Sequence, residues 1–311
     1  MTRSIAPTEV RFIKLGRKGE WERSSLEEDN VIRLGYRSPL HTASLKGNWA
    51  KLTAHWLEHR KGNATTASND VRQIRDFYAL PESCLWFTFY NRMLWWCFAS
   101  QPAQILPDES RVRPVIGKWS CTDLAGRPLT LQNLDGRLTK VIGYRGTICE
   151  LDSEVAAYLV RKINGKLAPD VRQTQNELAK LQLSVEKLIK GLWWKDFELL
   201  TDLVFAKSGW QRVSVLGQTD KALDLDIEAP VTGRRAFVQV KSQATIATLE
   251  ESIAQFQNMA QFDEFYFVVH TGDKVAQYVS SDARVQVIAS ARLAQLVIGA
   301  GLVTWLINKR S

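Results

Sequence analysis

A chain of 311 residues is long for one average domain and sufficient for two, and its 45% hydrophobic and 24% charged content excludes a disordered protein. No apolar run reaches the roughly 18 residues that span a bilayer, and residues 1–16 lack the apolar segment of a signal peptide. The sequence therefore predicts a cytoplasmic protein without a membrane partner. The four cysteines form no Cys-x-x-Cys pair, which favours reduced thiols over a zinc site.

The net charge of +8 is concentrated in residues 1–150, which hold 22 Lys and Arg against 15 Asp and Glu. Seven of the eleven tryptophans lie in the same part of the chain. Basic charge attracts a phosphate backbone, and aromatic faces can stack on an exposed base. A tryptophan-rich core beneath a solvated basic surface would give the same counts, so composition alone leaves both interpretations open.

Residues 10–150 show a mainly β pattern of short apolar segments separated by turn-forming pairs. The predicted strands are Val10–Leu15, Val31–Tyr36, Cys84–Tyr90, Leu94–Ala99, Val115–Trp119 and Leu138–Ile142. Asp135-Gly136 between apolar residues predicts a hairpin turn. Helices are expected only over Gly47–Arg60 and Ser68–Tyr78. Strands this short, with so few helices, predict a small β-barrel domain over residues 1–150.

From Ser153 to Lys190 the pattern becomes helical, and Gly165 with Pro169 divides it into two helices. We interpret residues 151–192 as a helical connector. Its apolar stripe needs a partner, which is either the following domain or a second subunit. The residues of the stripe, at three- and four-residue spacing, are Leu178, Leu181, Val185 and Leu188.

Residues 193–311 alternate helix and strand, which predicts an α/β sandwich. The expected helices are Trp194–Ser208, Thr248–Gln261 and Ser290–Gly299. The expected strands are Val213–Val215, Leu223–Ala229, Ala236–Lys241, Phe265–His270 and Val285–Ile288.

Two of these strands carry a pattern with chemical meaning. Alternate residues of a strand share a face, so Asp224, Asp226 and Glu228 point one way, and Gln239 and Lys241 share a face of the next strand. The short turn at 230–234 makes the strands antiparallel neighbours, which brings the acidic face beside the Gln/Lys face. Oxygen ligands next to a lysine suit Mg²⁺-dependent chemistry on a phosphate. A solvent-facing hairpin with charged residues would show the same alternation.

The wider sequence around this hairpin resembles the Mrr-like branch of the PD-(D/E)xK restriction endonucleases. The resemblance covers Trp194 to Gln243 and is carried by Phe197-Glu198 on a helix, a Gly209-Trp210 turn, an aspartate strand and Gln239-Val240-Lys241. It implies a restriction-endonuclease-like fold that uses Mg²⁺ or Mn²⁺. It implies Asp226 and Gln239 as metal ligands, Lys241 as the residue that activates water, and Glu198 as a further ligand.

The aspartate strand leaves a choice between two carboxylates. The family's Asp-Gly-Gly-x-Asp run is matched at Asp220 and Asp224 alone, and that alignment would make Asp224 catalytic. We prefer Asp226 because its separation from Gln239 suits the hairpin, and we keep Asp224 as the competitor.

The N-terminal half resembles the PUA-superfamily readers fused to modification-dependent nucleases. The resemblance is carried by the segments 85–89, 94–97 and 143–149. It implies a small barrel that flips a modified base into an aromatic pocket. The tryptophans that could form its walls are Trp21, Trp49, Trp86, Trp95, Trp96 and Trp119.

Together these resemblances imply a modification-dependent, type IV-like DNA endonuclease that cuts phage DNA carrying a modified cytosine. Cutting both strands needs two active sites, so a homodimer or a pair assembled on DNA is expected. Two alternatives remain at this point. One is a nucleic-acid-binding protein whose nuclease fold no longer cleaves, and the other is a nuclease directed at RNA.

Overall fold

In the computed structural model, which describes residues 4–213 and 224–311, the chain divides into two units, Met1–Ala168 and Pro169–Ser311. The predicted three-part division at 150 and 192 differs from this one, because the predicted connector is shared between the two units. Its first helix ends before Gly165, which has a φ of 66°, and its second begins at Pro169. A left-handed glycine after one helix and a proline opening the next are the usual signals for such a break.

The first unit contains seven strands and five helices within the residues described. The strands are β1 Glu9–Ile13, β2 Val31–Leu34, β3 Cys84–Tyr90, β4 Met93–Ala99, β5 Gln104–Ile105, β6 Arg111–Ser120 and β7 Ile148–Glu150. The helices are α1 His41–Leu45, α2 Trp49–His59, α3 Ala64–Ala79, α4 Gly136–Thr139 and α5 Ser153–Ile163. Single helical turns occur at Arg17–Gly19, Ser24–Glu28, Leu131–Asn133 and Lys140–Gly143.

The seven strands form one sheet in the order β2-β6-β4-β3-β1-β7, with β5 paired to β6. All pairs are antiparallel except β1 with β3. Along the described strands the order runs from an edge at β2 to an edge at β7, with no pairing that joins the two edges into a closed barrel. The mixed α and β content of the prediction is confirmed, whereas the PUA-like barrel remains a prediction.

Both faces of this sheet carry apolar cores. Trp86 and Cys97 belong to a cluster with α2 and α3, while the alternate residues Leu85 and Phe87 belong to a second cluster with α4 and α5. This division follows from the two-residue period of a strand.

Two of the first unit's cations are part of its interior. Arg111 and Arg113 are 2% and 0% exposed. The Arg113 guanidinium donates hydrogen bonds to the carbonyls of Phe77 and Leu80 at the C-terminal end of α3, at 3.1 and 3.0 Å, and to those of Ala99 and Ser100. Carbonyls at a helix C-terminus have no partner within the helix and favour positive charge, which accounts for a cation here. These two cations therefore do not contribute to the basic surface of the unit.

The prediction of a hairpin at Asp135-Gly136 and a strand at Leu138–Ile142 is wrong. The Asp135 carboxylate accepts a hydrogen bond from the backbone N–H of Arg137 at 2.8 Å and caps α4. An Asp-Gly pair serves a tight turn and a helix N-cap equally well. Here the helix forms because it buries Leu138 in the core cluster that also contains residues of α5.

The second unit contains six helices and five strands within the residues described. The helices are α6 Pro169–Lys190, α7 Trp194–Lys207, α8 Ile246–Gln257, α9 Asp273–Ala276, α10 Ser290–Gly299 and α11 Val303–Arg310. The strands are β8 Gln211–Arg212, β9 Leu225–Ala229, β10 Arg234–Gln243, β11 Glu264–Thr271 and β12 Val285–Ala289. Asp220 and most of the predicted strand Val213–Val215 lie outside the residues described.

The five strands form a sheet in the order β12-β11-β10-β9-β8, in which β10, β11 and β12 are parallel. Strands β9 and β10 are antiparallel, with Asp226 opposite Phe237 and Leu225 opposite Val238. Apolar residues on one face pack with α6, α7, α10 and α11, and those on the other face pack with α8 and α9. The predicted alternation of the two strands therefore holds.

The apolar stripe of α6 is only partly covered. Val185 and Ile189 are buried against the second unit's core, but Leu178 and Leu181 are 51% and 39% exposed. Packing within the unit accounts for the C-terminal half of the stripe alone.

Over the described parts of the chain, no single helix has the length and hydropathy needed to cross a membrane. Helices α10 and α11 pass that test only when taken together, and the pair is bent by 115° at its break.

Candidate active site and aromatic cavity

Asp224 immediately precedes β9, whose first residue, Leu225, pairs with Val238 of β10, so Asp224 comes beside Gln239. One oxygen of its carboxylate, Oδ2, accepts hydrogen bonds from the Gln239 side-chain amide and from the backbone N–H of Val240, the latter at 2.7 Å. The Nζ atom of Lys241 lies 3.9 Å from the same oxygen. Gln239 is only 5% exposed, so its amide depends on this carboxylate as a partner.

Asp226 occupies a different position. Its Oδ2 atom lies 2.6 Å from the Arg235 guanidinium, and its Oδ1 atom is buried without a hydrogen-bond partner in the structure described. Asp226 faces the same side of the sheet as Gln239 but is opposite Phe237, two residues further along the strand. The structure thus brings Asp224, the competitor, against Gln239 and Lys241, and leaves Asp226 in an ion pair.

Glu198 joins this group from helix α7. Partial burial and the nearby charge of Asp224 raise the pKa of Glu198, while Lys241 acts in the opposite direction. Two carboxylates that repel each other beside a lysine form a site whose charge a cation can offset.

Two adjacent hollows meet at Lys241. The hollow on the Glu198 side, about 280 Å³, is lined by Trp194, Phe197, Glu198, Val240, Lys241 and Ser242. The hollow on the Asp224 side, about 440 Å³, is lined by Asp224, Gln239, Lys241, Thr248, Glu251, Ser252 and Gln255. The α8 residues of this second hollow were missed by the sequence analysis, although their three- and four-residue spacing places them on one helix face.

The donor set suits a hard divalent cation. It combines the carboxylates of Asp224 and Glu198 with the side-chain carbonyl of Gln239, and oxygen atoms of these types are the ligands that Mg²⁺ prefers. Among residues 4–213 and 224–311, no three His, Cys, Asp or Glu side chains form a metal-binding group on their own.

The first unit holds a separate cavity of about 750 Å³. It is lined by Lys14, Gly16, Arg17, Lys18, Glu20, Trp21, Gly35, Tyr36, Arg37, Trp56, His59, Arg60, Arg145, Gly146 and Thr147. Six of these fifteen residues are Lys or Arg and one is Glu, so the lining is strongly basic. Anionic ligands are favoured at such a surface.

Aromatic rings of this cavity are held in fixed positions. The Arg33 guanidinium covers one face of the Trp21 ring at 4.2 Å, and a Cβ atom on Gly35 would lie 2.9 Å from that ring. Tyr36 packs edge-on against Trp56 with ring centroids 5.4 Å apart. Burial and the neighbouring Asp70 raise the pKa of the Tyr36 hydroxyl, and its hydrogen bond with Asp70 helps to fix the ring.

Of the six tryptophans predicted as pocket walls, the cavity includes Trp21 alone. Trp86 and Trp119 are buried at 0% and 6% exposure, which leaves no face for a ligand. Trp95 and Trp96 donate hydrogen bonds from their indole nitrogens to backbone carbonyls, and Trp49 packs against the α2–α3 core. Tyr36, Trp56 and Arg60 were not predicted, because no local pattern distinguishes them.

The second unit matches a protein-family model. The Mrr_cat family, described as a restriction endonuclease, matches residues 189–306, and the resemblance predicted for the C-terminal half is thereby confirmed. No match was found among curated proteins. A search of solved structures found a chain described as the MspJI restriction endonuclease in complex with a 27-mer oligonucleotide, at 15% identity over 90% of this chain and 74% of that chain. Its TM-score of 0.28 does not establish a shared fold.

Proposed function

We propose, from the restriction-endonuclease match of residues 189–306, that the protein is a modification-dependent DNA endonuclease. In this proposal the second unit hydrolyses phosphodiester bonds and the first unit binds DNA and tests for a modified base. The observation that carries the nuclease assignment is the Asp224 carboxylate, which binds Gln239, lies 3.9 Å from Lys241 Nζ and raises the pKa of Glu198.

Each residue of the site has a distinct role in this proposal. Asp224, Glu198 and Gln239 would hold a divalent cation, Mg²⁺ or Mn²⁺, which when bound offsets the negative charge that develops on the phosphate. Lys241 lies between the two hollows and can orient the attacking water from one while contacting phosphate in the other. Its ammonium group also balances the charge of Asp224.

The first unit supplies most of the affinity in this proposal. Residues 1–168 contain 25 Lys and Arg against 17 Asp and Glu, whereas residues 169–311 contain 16 of each. The basic cavity with Trp21 and Tyr36 is large enough to admit a flipped base, and aromatic walls partly restore the stacking that such a base loses. We propose that this cavity, in a PUA-like domain, reads a modified cytosine.

Two further features follow from the proposed reaction. Cleavage of both strands requires two copies of the active site, so we propose a homodimer or a pair assembled on DNA. A requirement for a modified base would let the enzyme cut phage DNA and spare the host's own.

The test is digestion of matched phage DNAs that contain plain cytosine, 5-methylcytosine, 5-hydroxymethylcytosine or glucosylated cytosine, with an RNA of similar length alongside. We expect Mg²⁺-dependent cutting of one or more modified DNAs and none of plain DNA or RNA. Lys241→Ala should still bind the modified DNA and fail to cut it. Binding without cutting by the wild-type protein would favour a nuclease fold that has lost activity, and cutting of RNA alone would favour an RNA-directed nuclease.

A further inference from the structure

Two adjacent tryptophans stand at the entrance to the proposed active site. Trp193 and Trp194 are 58% and 49% exposed, and of the eleven tryptophans, all within the described residues, they alone are exposed. Exposing two such large aromatic faces to water is unfavourable, and grouped exposed aromatic residues usually mark a binding surface. The proposed reaction leaves these two residues without a role.

The pair is held rigidly. Its neighbours Leu192 and Phe197 are buried in the second unit's core, at 8% and 0% exposure. The Phe197 N–H donates to the Trp193 carbonyl at 3.0 Å, which starts helix α7 at this point. The two indole rings lie 5.6 Å apart at 60° to each other, and the Lys195 ammonium lies 5.2 Å from the centre of each ring. The backbone that carries the two rings is therefore anchored in the core, and the rings and Lys195 contact one another.

The pair is continuous with the catalytic group. Trp194 lines the same hollow as Glu198 and Lys241, and Trp194 and Glu198 are four residues apart on one face of α7. Lys195 precedes Glu198 by three residues on the same helix, which places this cation near the same carboxylate. A strand whose phosphate reached Lys241 would therefore carry its adjoining nucleoside past the tryptophans.

We propose that Trp193 and Trp194 form a platform on which a nucleobase next to the scissile phosphate stacks, with Lys195 contacting the adjoining phosphate. The inference rests on the proposed nuclease function and adds a contact for DNA in the second unit. Stacking tolerates any base, because every base has a π face, so the platform positions the strand without selecting its sequence. A base can stack there only if it leaves its duplex neighbours, so the DNA must open locally at the cut.

The experiment uses the full chain with the Lys241→Ala change, so that binding is measured without cleavage. Duplexes carrying 2-aminopurine at successive positions around the cut report stacking by loss of fluorescence. We expect one position beside the cut to be quenched by the protein. In this background Trp193→Leu with Trp194→Leu should restore the fluorescence and weaken binding by about 5-fold to about 100-fold.

Three controls separate stacking from other effects. Trp193→Phe with Trp194→Phe should keep most of the affinity, because phenylalanine still presents an aromatic face. Leu199→Ala, at an exposed residue of the same helix that does not line the hollow, should change nothing. The leucine variant should keep the salt dependence of binding, whereas Lys195→Ala should reduce its logarithmic slope by about one.

Unchanged affinity and unchanged fluorescence in the leucine variant would overturn the platform, even if the wild-type protein cuts DNA. A change of oligomeric state on substitution would also overturn it, in favour of a contact between copies. If the wild-type protein binds DNA with quenching at one position but never cuts, stacking on the two tryptophans stands as a DNA-binding contact alone and the nuclease proposal falls.

Discussion

Replacing each of the two competing aspartates by asparagine separates the catalytic carboxylate from the structural one. Asparagine keeps the shape of the side chain and removes its charge. Asp224→Asn removes the electrostatic attraction between this carboxylate and Lys241, whose Nζ lies 3.9 Å away. At an effective dielectric constant of about 20 that attraction is at most about 4 kcal/mol, and less in practice because the Lys241 side chain is 40% exposed.

The two substitutions should have opposite effects on activity and stability. Asp224→Asn removes a proposed cation ligand and the partner of Lys241, and we expect cleavage to fall by about 100-fold to 1000-fold. Its stability should change by less than about 1 kcal/mol, because solvent screens the Lys241 pair and the repulsion of Glu198 is relieved. An amide oxygen can also still accept from the Val240 N–H. Asp226→Asn breaks the 2.6 Å pair with Arg235 and should cost about 1.5–3 kcal/mol of stability, while most cleavage activity remains.

The assay is cleavage of a modified plasmid under single-turnover conditions, with urea unfolding of each variant as the measure of stability. Asp226→Asn should lower the urea midpoint and leave the rate within about threefold of wild type once folding is allowed for. Asp224→Asn should leave the urea midpoint nearly unchanged and lower the rate. Full cleavage by Asp224→Asn together with none by Asp226→Asn would refute the geometric argument and return the catalytic role to Asp226.

The remaining predictions concern charge, pH and the cavity. A fragment of residues 1–168 should bind DNA alone, with affinity falling at least tenfold between 50 and 200 mM salt, and residues 169–311 should bind more weakly; equal affinity of the two folded fragments would contradict this. Because the pKa of Glu198 is raised, activity should rise with pH through that pKa, and Glu198→Gln should lower activity and abolish this rise. An activity profile of Glu198→Gln that still rises with pH would exclude Glu198 from the active site. A carboxyl whose pKa is raised on folding destabilises the folded state above its unfolded pKa. At neutral pH and without a divalent cation, Glu198→Gln should therefore unfold at a slightly higher temperature. Trp21→Ala should reduce discrimination between modified and plain DNA by about 5-fold to 100-fold, whereas the buried Trp86→Ala should instead lower stability by about 3–5 kcal/mol; equal discrimination by wild type and Trp21→Ala would exclude this cavity.

Local patterns predicted the parts of the fold that depend on local physics. The strand Cys84–Tyr90 and the helix Ser290–Gly299 have the bounds that their sequences predict, because apolar periodicity and burial agree there. Asp135-Gly136 was misread because the same two residues serve a turn and a helix cap, and only the packing of Leu138 decides between them.

The sequence predicted that the residues of the proposed active site share one face of two neighbouring strands, but it did not predict which of them contact each other. Strand alternation placed Asp224, Gln239 and Lys241 together, yet the choice between Asp224 and Asp226 depended on register, which a two-residue slip changes without altering the pattern. The arginine at position 235 that engages Asp226 carries no sequence signal of its own.

The basic cavity was beyond sequence analysis for another reason. Its lining comes from four stretches of chain near residues 14–21, 35–37, 56–60 and 145–147, and only the tertiary fold brings them together. The sequence count also could not show that Arg111 and Arg113 are interior residues, whose guanidinium groups donate hydrogen bonds to backbone carbonyls.

Each unit is one uninterrupted stretch of chain, and a single peptide connection between Ala168 and Pro169 joins them. A gene encoding such a chain can exchange either part by one recombination event, without rebuilding a sheet or a core of the other. Under the proposed function, replacing the first 168 codons alone would be enough to follow a phage that changes the chemistry of its bases. Laboratory retargeting could follow the same route, with the cutting machinery inherited intact.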